Sequence, residues 1–112
     1  IDRAPQQEGI LDYCRQQGVG FISFSPLAQG LLTDRYLNGI PADSRMAQHS
    51  SLSETALTPE LLTKLHDWHD EAEAQGKTLP AYALDWILDQ EGVTSVLVGA
   101  SSTQQLAQNI RA

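Results

Sequence analysis

"VGFISFSPLAQGLLTDRY", residues 19–36, is the stretch whose reading decides the fold. Its first part, residues 19–24, carries the bulky, β-prone Phe21, Ile22 and Phe24 and predicts a buried strand. At Ser25-Pro26 the strand pattern stops and a turn begins. Residues 25–57 then form a long connection, with a short helix expected over 27–32. A connection of that length inside a compact domain is usually functional.

Upstream, residues 5–17 predict a helix. Pro5 suits its first turn, Ile10, Leu11 and Cys14 share a face, and Gly18 suits the position past its end. Downstream, residues 59–75 predict a second helix. Thr58 suits its cap and Pro59 its first position, with an apolar stripe of Leu61, Leu62, Leu65, Trp68 and Ala72, and Gly76 ends it. Residues 80–90 predict a third helix, burying Ala83, Leu84, Ile87 and Leu88. Residues 93–98 predict a second strand, and Gly99-Ala100-Ser101-Ser102 turns into a last helix from Thr103 onward. Strands separated by helices pair in parallel with both faces covered, so the class is α/β. Two strands cannot cover themselves. Residues 1–112 are therefore expected to be part of one larger domain, incomplete at both ends; a start at Ile1 and a stop at Ala112 within a running helix lead to the same expectation.

Composition excludes several classes. No apolar run approaches the ~20 residues of a membrane-spanning helix, and the first residues lack the apolar core of a signal peptide. The formal net charge of −7 argues against a nucleic-acid or anionic-membrane surface. The single cysteine, Cys14, makes no internal disulfide, which suits a cytoplasmic protein.

Ligands of α/β folds sit at the carboxyl ends of the strands. Here those ends are Ser25 to Gly30 and Gly99 to Ser102, each leading into a helix start where free N–H groups favour anions. In the last helix Ser101, Gln105 and Asn109 are spaced by four and Gln108 borders them, a row of amides able to bond ring nitrogens and phosphate oxygens. The alternative is a simple N-cap at Ser101 or Ser102 followed by a solvated face. Other candidates are weaker. His66-Asp67-Trp68-His69-Asp70 puts two imidazoles on one helix, but a structural zinc site takes about four ligands, usually including Cys, so a polar face is expected and no metal. His49 offers nothing specific. Gly18-Val19-Gly20 precedes its strand, whereas a dinucleotide fingerprint follows one. Cys14, Trp68 and Trp86 are expected to serve packing.

"FSPLAQGLLTDRYLNGIPADSR" (24–45) followed by "SVLVGASSTQQLAQNI" (95–110) resembles the C-terminal third of an aldo-keto reductase. The branch is the one holding bacterial glyceraldehyde-phosphate reductases and the β subunits of voltage-gated potassium channels. The resemblance covers nearly the whole chain. It implies the last two strands of a (β/α)₈ barrel, three outer helices and the long loop after the seventh strand. It implies NADP as cofactor. Phe24 matches the aromatic that stacks on the nicotinamide. Ser25, Pro26, Leu27, Ala28 and Gln29 match the turn that wraps the pyrophosphate, with Gly30 allowing close approach. Arg35 matches a basic residue over the phosphates, and Ser44 and Arg45 match the pair at the 2′-phosphate. Gly99, Ser101, Gln105, Gln108 and Asn109 match the adenosine end; Gln108 stands where many members have Glu, so it donates as well as accepts. A forked, permanently charged Arg suits a phosphate, and Arg45 is the only Lys or Arg between Tyr36 and Lys64.

The family's proton-donating Tyr and its Lys, Asp and His partners lie on earlier strands. Tyr13, Tyr36 and Tyr82 do not match that motif, so no catalytic residue is expected in this chain. Two functions follow. One is an NADP-dependent reductase of small aldehydes or ketones, possible as a homo-oligomer, with this segment supplying cofactor-binding elements. The other is a non-catalytic or regulatory NADP-binding subunit akin to the channel-associated relatives. The loop over 32–57, polar and poor in anchors, is expected to be poorly ordered without cofactor.

Overall fold

The computed structural model describes residues 2–38 and 57–110. In chain order the elements are α1 (Ala4–Gln7), α2 (Ile10–Gln16), β1 (Ile22–Phe24), single 3₁₀ turns at Ala28–Gly30 and Asp34–Tyr36, α3 (Pro59–Ala74), α4 (Leu79–Leu88), β2 (Ser95–Leu97) and α5 (Thr103–Ile110). The protein is α/β, and its two strands pair in parallel with Ile22 opposite Ser95, Ser23 opposite Val96 and Phe24 opposite Leu97.

The helix expected over 5–17 is two helices. Gly9 adopts a left-handed backbone, φ 81°, which ends α1 and sets the start of α2. The Tyr13 N–H still reaches the Gly9 carbonyl at 3.0 Å, so the break costs little hydrogen bonding. Only Leu11 of the expected apolar face is buried; Ile10 is exposed.

α3 forms as its sequence dictates. Thr58 Oγ1 accepts from the Leu61 N–H at 3.1 Å, and Pro59 fills the first turn, where its missing N–H is no loss. At the far end the Lys77 N–H bonds the Ala72 carbonyl at 2.9 Å across a left-handed Gly76, a Schellman stop. Thr78 then caps α4 by accepting from Ala81 N at 3.3 Å. The two helices pack together. Leu65 and Ala72 of α3 and Leu79, Ala83 and Leu84 of α4 are buried. The Tyr82 hydroxyl on α4 donates to the Glu71 carboxylate on α3, and Lys77 pairs with Asp85. α4 also contacts β2 and α5.

Both strands are shorter than the sequence suggests. Thr94 Oγ1 accepts from the Phe21 N–H at 3.0 Å, where a carbonyl of a regular ladder would stand, so regular pairing begins one residue later. The Thr94 N–H returns a bond to the Phe21 carbonyl at 2.8 Å. Gly20 fits against this side chain: a Cβ there would lie 3.2 Å from Thr94 Oγ1. Trp86 departs from the packing role expected of it. It is exposed, and the Arg3 guanidinium lies 5.1 Å from its ring centroid, bringing α1 to the end of α4. Gln6 adds a bond to Gln90 at 3.0 Å.

The sheet has two unlike faces. Ser23 and Val96 are half-buried, whereas Ile22, Phe24 and Leu97 are 64%, 77% and 65% exposed. Residues alternate across a strand, so these three share the open side.

Candidate functional site

The register sets Phe24 level with Leu97, so both strands end at the same height. Beyond Phe24 the chain makes an unusual turn. Ser25, Ala28 and Gln29 have φ of 49°, 49° and 58°, and Gly30 follows at 97°. Three residues with a Cβ in the left-handed region, within five positions, store strain that only surrounding structure can maintain. The turn closes through Ala28 N to Ser25 O at 3.0 Å, Gly30 N to Leu27 O at 3.0 Å and Leu32 N to Leu27 O at 3.1 Å. Pro26 is buried beneath it, and Leu27, Ala28, Gln29 and Gly30 are half-buried.

The segment after the turn is anchored. Thr33 Oγ1 donates to the Gly30 carbonyl at 2.6 Å and accepts from the Arg35 N–H at 3.3 Å. Leu31 and Tyr36 are buried, with Ala28, Leu57 and Leu61 packed against them. His66 Nε2 donates to the Leu37 carbonyl at 2.8 Å. The expectation of few anchors over 32–57 therefore does not hold for its first residues; most of that loop, including Ser44, Arg45 and His49, lies outside the described residues. Arg35 is exposed in the second 3₁₀ turn.

At the end of β2, Ser102 Oγ accepts from the Gln105 N–H at 3.1 Å and so caps α5. Gln105 Oε1 in turn accepts from both the N–H and the hydroxyl of Ser101, each at 2.8 Å. The i,i+4 pair read in the sequence is thus a real contact, and it fixes the Gln105 amide so that its NH₂ faces away from Ser101. Gly99 and Gln108 are exposed. Asn109, two turns down α5, lines an open groove with Leu84, Leu88, Ser95, Val96, Val98 and Ile110, between α4, β2 and α5. The structure thus brings Phe24 to Gly30 together as one turn and Ser101 with Gln105 as one bonded pair, while Asn109 stands further along the helix.

Chemically, these strand ends offer an exposed aromatic face, hydroxyls, backbone amides and side-chain amides. That donor set suits a ring system joined to phosphates. Among the tyrosines, Tyr13 is exposed on α2, Tyr36 is buried under the turn, and Tyr82 is bonded to Glu71. The Tyr82 hydroxyl is raised above its usual pKa of 10.0, first by its bond to Glu71, then by burial and by the Glu71 charge. On α3, His69 lies 3.7 Å from Asp70 and Glu73 and 3.8 Å from Asp34. The ligand atoms of His69, Asp70 and Glu73 lie within 4.8 Å of one another. Asp70 and Glu73 are exposed and His69 is half-buried.

Tyr36, Thr33 and His66, which anchor the segment after the turn, were not legible as such in the sequence. The Thr33-Asp34 pair does carry the pattern of a local turn cap, which would have indicated the second 3₁₀ turn.

With the geometry in place, family membership is clear: the aldo/keto reductase family model matches residues 3–112, and the chain belongs to that family. Its similar relatives include L-glyceraldehyde 3-phosphate reductase of Escherichia coli O157:H7, 45% identical, and that of Escherichia coli strain K12, 44% identical. Both matches cover 100% of this chain and 34% of the relative, so the chain spans about a third of the length of these curated proteins. The expected branch is the one these relatives represent. Among the described residues no helix is long and apolar enough to cross a membrane.

Proposed function

We propose that this chain is the cofactor-binding part of an NADP-dependent aldo-keto reductase that reduces small aldehydes or ketones to alcohols. The carrying observation is the pair of level strand ends, one bearing the exposed Phe24 and the strained turn to Gly30, the other the Ser101–Gln105 pair. Family membership and the reductase activity named for the relatives support the reductase reading over a regulatory subunit. The relatives' name points further to phosphorylated aldehydes of about three carbons as a substrate class. In this reading β1 and β2 are the last two strands of a (β/α)₈ barrel, and their open face meets the strands that complete it.

The roles are those that the resemblance to the family implies, and the chemistry of the side chains is compatible with them. Phe24 stacks on the nicotinamide, and the turn from Ser25 to Gly30, with Arg35, wraps the pyrophosphate. Ser44 and Arg45 hold the 2′-phosphate, and Gly99, Ser101, Gln105, Gln108 and Asn109 receive the adenosine. Bound NADPH supplies the hydride. This chain's residues orient it and exclude water from it, while the proton for the carbonyl oxygen comes from a Tyr elsewhere in the barrel.

The test is cofactor affinity of the full-length protein. NADPH should bind more tightly than NADH. Arg45→Ala should cost roughly 1.5–3 kcal/mol of NADPH binding, tenfold or more, and leave NADH nearly unchanged. Equal affinity of the wild type for both cofactors would sink the assignment.

A further inference from the structure

The strained turn after β1 needs a restraint, and the structure contains one on α3. Ser25, Ala28, Gln29 and Gly30 are left-handed. Such a conformation persists only where neighbours over-determine it. The neighbours form a short chain of contacts. The Gly30 carbonyl accepts from Thr33 Oγ1 at 2.6 Å. A Cβ on Gly30 would meet Tyr36 Cε2 at 3.6 Å, so the ring lies directly against that glycine. Tyr36 is 1% exposed, packed with Leu31 against Leu57 and Leu61. The next residue, Leu37, gives its carbonyl to His66 Nε2 at 2.8 Å. A carbonyl only accepts, so Nε2 carries a proton there, whatever the charge of the ring. One helical turn on, His69 lies 3.8 Å from Asp34 at the other end of the same 3₁₀ turn.

We propose that His66 is a positioning residue for cofactor binding: by holding the Leu37 carbonyl it fixes Tyr36, and through Tyr36 it keeps the turn from Ser25 to Gly30 in its binding shape. This rests on the cofactor reading of that turn. His66 is exposed, so a change there spares the core.

The experiment uses the full-length protein as wild type, His66→Leu and His66→Gln. Leucine removes the donor, whereas the glutamine amide restores one at a similar reach. The first readout is hydrogen exchange without cofactor at the Gly30 and Leu32 amides, both of which donate to Leu27 O. The second is NADPH affinity, with kcat at saturating cofactor. The leucine variant should exchange these amides about fivefold faster and bind NADPH about fivefold more weakly, with kcat unchanged, as for one lost hydrogen bond. Glutamine should restore both. Wild-type exchange in the leucine variant would overturn the proposal, as would faster exchange with unaltered NADPH affinity. The exchange measurement needs no cofactor. If the wild type fails to bind NADPH, the proposed function falls, and the anchor is still judged by the exchange rates.

Discussion

Gly30 and its neighbours concentrate the backbone cost of this protein in a few residues. At φ 97°, Gly30 has room for a methyl group, since the nearest atom, Tyr36 Cε2, would stand at an ordinary 3.6 Å. The penalty for Gly30→Ala is therefore conformational, about 1–2 kcal/mol. Denaturant unfolding of the full-length protein should show that loss. Tyr36→Ala should cost about 3 kcal/mol or more, because the ring is buried and also supports the turn. These two residues also mark what could be read from the chain and what could not. Gly30 stands out in the sequence as a flexible point. The left-handed Ser25, Ala28 and Gln29 do not, because nothing in a Ser, Ala or Gln announces it; the neighbours impose it. The burial of Tyr36 was hidden for a related reason: its partners Leu57 and Leu61 lie far along the chain.

The helices that follow show how far local chemistry reaches. Thr58 and Thr78 each accept from the N–H three residues on, and each substitution to Ala should lower stability by about 1 kcal/mol in thermal unfolding. The start of α3 was legible because cap, proline and apolar stripe agree within a few residues. The break at Gly9 was not, since an interior glycine costs a helix only about 1 kcal/mol and leaves its apolar spacing intact. The shortened strands escaped because Thr94 displaces a ladder bond from across the sheet. The tie between α3 and α4 carries a pH signature. Tyr82 is raised in the folded state, so its contribution is fully present below the ordinary tyrosine pKa and is lost as pH rises through the raised value. Absorbance titration should show a tyrosine ionising above the ordinary tyrosine range. Tyr82→Phe should abolish that late step and flatten the alkaline loss of stability.

At the scale of the whole molecule, the open side of the sheet governs behaviour. Ile22, Phe24 and Leu97 present apolar surface that two strands alone leave uncovered. The isolated 112-residue segment should therefore self-associate or unfold without a sharp transition. Sedimentation together with thermal unfolding would check this, and a monomer melting in one cooperative step would contradict it. The parallel register has a consequence for how such a sequence tolerates change in length. An extra residue in a surface connection only lengthens a loop, whose closure cost grows slowly with size. The same residue inserted between Ser95 and Leu97 would turn Leu97 toward the helices and carry Gly99 to Ser102 one step out of line with Phe24. Insertions and deletions should thus accumulate between these elements and be purged from within them, even though the strands, at three residues each, are as short as the 3₁₀ turns.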